Sequence, residues 1–122
     1  MRDLHKRGVR VLPGGDYGAF ITSPQGENAK DLEIFVELFG FTPMEVIVAA
    51  TRHGADLMQL GGQTGQVQPG FLADLVILDG DPLADIRIFQ DPDKIVGVMK
   101  SGVFAKREAA LSRAAGPMRK TA

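Results

Sequence analysis

The sequence contains no cysteine and no tryptophan, and only one tyrosine and two histidines. Without cysteine there is neither a disulfide framework nor a thiolate metal site. Two isolated histidines, His5 and His53, cannot by themselves make a hydrolytic zinc centre, which needs three protein ligands and an open position. There is no His-x-His, no His-Glu-x-x-His and no serine in a nucleophile elbow. The glycine-rich Gly61-Gly62-Gln63-Thr64-Gly65 lacks the lysine and the strand–helix setting of a phosphate loop, and reads as a connector. No excess of either charge is present: the net charge is −1, so there is no basic field for nucleic acid or an anionic membrane. No apolar run reaches the ~20 residues of a membrane span, and the charged start, Met1 to Gly8, lacks a signal-peptide core. The expectation is a soluble, cytoplasmic protein with no nucleic-acid or membrane partner.

What is present is ordinary globular composition, 44% apolar and 24% charged, with 15 glycines marking many turns. The most telling stretch runs from Gly65 to Asp79. Pro69-Gly70 is strong turn punctuation. Leu75-Val76-Ile77-Leu78 then reads as a strand buried on both faces, bracketed by Asp74 and Asp79. A second apolar strand is expected over Ile95 to Met99, with Ser101-Gly102 as a tight hairpin turn and a return strand from Val103.

Upstream, residues 2 to 7 read as the last turn of a helix stopped by Gly8, and Val9 to Leu12 as a short strand. Asn28 and Asp31 open a helix whose Leu32, Phe35, Val36 and Phe39 share one face, with Gly40 as its end. Thr42-Pro43-Met44-Glu45 is a capping box with proline at the first helical position, so a second helix follows through Ala50. A further short helix is expected from Thr51 to Leu60, broken near Gly54. Asp85 to Gln90 reads as irregular or a strand edge, and Lys106 to Arg113 as a helix before a polar tail.

Asp16 is the candidate catalytic residue. It opens a glycine-flanked loop directly after a short apolar strand, where functional groups gather in parallel α/β folds. A carboxylate there can ligate a metal or take a proton from water; the alternative is a turn residue bonding its own backbone. Gln25-Gly26-Glu27-Asn28 either touches a substrate's polar group or simply caps the next helix. His5, on a charged helix end, is expected to be solvated, and His53 to lack a ligand partner.

Taken together, the segments 8–16, 25–33, 41–51, 65–83 and 98–102 resemble the C-terminal part of the amidohydrolase superfamily, in its imidazolonepropionase-like and prolidase-like branch. The resemblance implies an α/β fold. Residues 1–62 would be the remnant of a (β/α)8 barrel, 63–106 part of its β-sandwich, and 107–122 a terminal helix or tail. It also implies a metal-dependent hydrolase of C–N bonds in dipeptides or N-acyl amino acids. Asp16 would match the residue after strand eight that binds zinc or another divalent metal and serves as the base. The other ligands, histidines and a carboxylated lysine of earlier strands, have no counterpart in this sequence, so the chain alone is expected to be inactive and to hold no metal tightly. Gly15 replaces the usual Thr or Ser, and Gln25 stands where many relatives have His. Sandwich strands without their usual neighbours point to a homo-oligomer, a complementing barrel chain, or a non-catalytic interaction module.

Overall fold

The computed structural model describes residues 1–15 and 26–108. Helix α1 (Arg2–Lys6) is followed by α2 (Lys30–Glu37), α3 (Pro43–Val48), a π-helical turn (Ala49–His53) and α4 (Gly54–Leu57). Then come strand β1 (Leu75–Leu78), a 3-10 helix (Ile86–Gln90), β2 (Ile95–Lys100) and β3 (Val103–Arg107). The strands form one antiparallel sheet in the order β1-β2-β3.

The core is a cluster of Phe35, Phe41, Val46 and Ile86, with Leu32, Val36, Phe39, Ile47, Phe89 and Val11 packed against it. The corner between α2 and α3 builds it. Gly40 turns the chain at φ +76°, and Phe41 N donates to Phe35 O at 3.1 Å. The turn brings the two rings edge to face at 5.1 Å, a favoured aromatic geometry. The capping box then starts α3 as expected: Glu45 N donates to Thr42 Oγ1, while Glu45 Oε2 accepts from Thr42 N at 2.7 Å. Ile86 reaches the cluster from the 3-10 helix, whose first turn Asp85 caps by accepting from Arg87 N. Glu33 of α2 ties the same helix down, accepting from Gln90 Nε2 at 2.9 Å while pairing with Lys30.

Several expectations need correction. Val9–Leu12 forms no strand ladder among the described residues. A strand needs a neighbour for its backbone groups; here Val9 N donates back to Leu4 O, and Val11 packs on the core instead. There is no helix break at Gly54, whose φ is −61°. The helical path runs from Pro43 to Leu57, widens into π geometry over Ala49–His53, and stops at Gln59, which is itself left-handed at φ +61°. Within the 85–90 stretch, Ile86–Gln90 is a 3-10 helix rather than irregular or a strand edge, because Asp85 supplies its cap. Lys106 and Arg107 belong to β3, paired with Val98 and Gly97, and so cannot start a helix; residues 109–113 of that expectation lie outside the described ones. β1 is not buried on both faces, since Val76 is 53% exposed. Phe35, on the apolar face expected of α2, is buried in the chain's own core.

The hairpin of β2 and β3 turns at Ser101 (φ +48°) and Gly102 (φ +81°), both left-handed as a type I′ turn requires. That turn is pinned from the start of β1. Asp74 Oδ1 accepts from Ser101 N at 2.7 Å, Asp74 Oδ2 accepts from Thr64 Oγ1 at 3.2 Å, and Gly102 N donates to Ala73 O at 3.1 Å. The 61–65 connector therefore has a structural task. At Gly65 (φ +84°) a Cβ would lie 2.8 Å from both Thr51 O and the Ala55 Cβ, so only glycine lets this loop lie against the helix.

Two stability outcomes follow from these contacts. Asp74→Ala should lower the unfolding free energy by about 1–2 kcal/mol, the worth of two side-chain bonds, read as a drop in the urea midpoint at unchanged m-value. Gly65→Ala should cost more than about 1 kcal/mol, because it adds both a clash and a strained φ; a midpoint equal to wild type would contradict the close approach.

Candidate functional site

A cleft of about 310 Å³ opens between the 8–11 segment and α3. Its walls are largely apolar, with Val9, Val11, Phe41, Met44 and Val48, and its polar groups are His5, Arg10, Glu45 and His53. α1 buries none of its residues and is held by two side chains. Arg2 Nε donates to Leu38 O at 2.9 Å, using a carbonyl that the end of α2 leaves free. The His5 ring stacks on Phe41 at 3.7 Å, and His5 Nε2 lies 3.4 Å from Glu45 Oε1. His5 is thus not the solvated residue that its charged neighbours suggest: its side chain is 24% exposed and rests on the core. The local sequence carries no signal for this, because Phe41 and Glu45 arrive from a different element.

Glu45 does two jobs. One oxygen closes the capping box and the other faces His5. The Thr42 backbone N–H, then the Thr42 hydroxyl, then the His5 imidazole hold its carboxyl below the ordinary glutamate range. The π-helical turn brings His53 to the rim of the same cleft. His53 also borders a smaller cleft of about 260 Å³ with Arg10, Leu12 and Asp56. Across that cleft Arg10 Nη1 meets Asp56 Oδ2 at 3.1 Å, an exposed pair.

Asp16 and Gln25 lie outside the described residues. The structure therefore places His5, Glu45 and His53 about one cleft. Among the described residues no group of three or more His, Cys, Asp or Glu side chains is arranged to hold a metal ion. His5 and Glu45 offer two neighbouring donor atoms, but the other Glu45 oxygen is committed to Thr42. The described residues do not fit a divalent-metal centre by themselves.

Comparison with known proteins decides the lineage. The amidohydrolase family profile matches residues 1–105. The chain belongs to the amidohydrolase family. Among curated relatives, ochratoxinase of Aspergillus niger is 38% identical over 104 residues, covering 83% of this chain and 20% of that protein. Imidazolonepropionase of Ralstonia nicotianae is 33% identical over 85 residues, covering 70% of this chain and 21% of that one. Among solved structures, a Xaa-Pro dipeptidase with methionine bound in its active site superimposes with a TM-score of 0.76 at 30% identity, covering 86% of this chain and 24% of the other. The chain spans about a fifth of the length of the curated relatives it matches.

The Glu45 pairing gives a pH dependence with a definite sign. Its folded-state carboxyl is depressed, so its contribution to stability is complete above the unfolded glutamate value, about 4.3. That contribution is lost as pH falls through the lower folded value. The stability gap between the wild type and Glu45→Gln should therefore be larger at pH 7 than at pH 3, measured by urea unfolding at both. A gap that grows on acidification would contradict the assignment.

Proposed function

We propose that these residues are the C-terminal portion of a metal-dependent hydrolase that cleaves a C–N bond in a dipeptide or an N-acyl amino acid. One observation carries the reading: the amidohydrolase match runs through nearly the whole segment, and the similar proteins include a Xaa-Pro dipeptidase, which by its name cleaves a peptide C–N bond. On this reading the segment contributes the last strand of a (β/α)8 barrel, its following helices and part of the adjoining β-sandwich. Residues Val9–Leu12 gain strand partners only from polypeptide beyond those described here.

Asp16 has the central role. Its carboxylate accepts a proton from the attacking water and returns it to the leaving nitrogen, so that the amine departs neutral. It also serves as one ligand of a divalent metal, zinc by family resemblance, which when bound polarises the scissile carbonyl. The remaining ligands come from outside the described residues, in the same polypeptide or in a complementing one. The cleft about His5 and Glu45 has no catalytic part here; its polar pair fastens α1 to the corner at Phe41.

In a polypeptide that assembles the whole site, Asp16→Asn should lower kcat for a dipeptide or N-acyl amino acid by about 10²–10⁴-fold, the range for loss of a positioned proton carrier. Unchanged kcat would remove Asp16 from the mechanism. The 122-residue chain alone should show no sub-micromolar zinc site in a calorimetric titration, and a tight site there would overturn the assignment of the other ligands to residues elsewhere.

A second reading rests on the sheet. β1 and β3 are both edge strands among the described residues, and they carry exposed Val76 and Val103. Open apolar edges are templates for pairing with another copy, so the isolated chain is proposed to self-associate as a non-catalytic module. Light scattering at micromolar concentration should then give a dimer mass or larger; a clean monomer would sink it.

A further inference from the structure

We draw no further inference here: the strongest candidate, the apolar cleft between residues 8–11 and helix α3 that His5, Glu45 and His53 rim, carries nothing because nothing in the structure shows what covers it.

Discussion

The packing of Phe35, Phe41, Val46 and Ile86 is the constraint on which the described fold depends. The cluster takes residues from α2, from the corner after it, from α3 and from the 3-10 helix that precedes β2. Each of these elements is short, and helices of five to eight residues have little stability of their own in water. They persist because each buries an apolar residue in the same place. Val46, at 0% exposure, is where that dependence is tightest. α1 shows the contrast: it buries nothing, and side chains alone tie it to the cluster's edge.

Local structure is legible in the sequence where its determinant lies within a few residues. The Thr42–Glu45 capping box, the Ser101-Gly102 hairpin turn and the apolar runs of β1 and β2 all appear where their residue types demand. What failed to be legible depends on residues far apart in sequence. Val9-Arg10-Val11-Leu12 has strand composition, yet a strand is a relation between two segments, and no described segment pairs with it. Gly54 suggests a break, but a glycine with helical φ breaks nothing, and the helix instead accommodates a π-helical turn just before it. Lys106 and Arg107 have good helix propensity, and pairing with β2 overrides it.

The candidate site divides in the same way. Asp16 stands out in the sequence by its place after an apolar run between glycine and loop, a rule about strand ends and not about neighbours. His5 could not be ranked on those terms. Its ring found Phe41 and Glu45 thirty-six and forty positions onward, and a charged local setting points the other way. Reading His5 as half-buried would have required knowing that the α2–α3 corner folds back over α1. The structural contacts also give His5 and Glu45 a sufficient task in fastening α1, so their proximity is no argument for chemistry.

The stretch from Gly65 to Asp79 shows why the family is plain and the substrate is not. Gly65 is needed because backbone lies against it, and Gly70 adopts φ +86° in the turn that the Pro69-Gly70 pair marks. Ala73 O and the Asp74 carboxylate then fix the hairpin turn at the same end of the sheet. Every one of these demands concerns how the chain is held, and none concerns what it binds. A signature made of such demands can remain recognisable in proteins that act on different molecules, as the names ochratoxinase and imidazolonepropionase illustrate. Specificity has to be sought in residues free of those duties, and the described portion of this chain commits its best-marked positions to architecture.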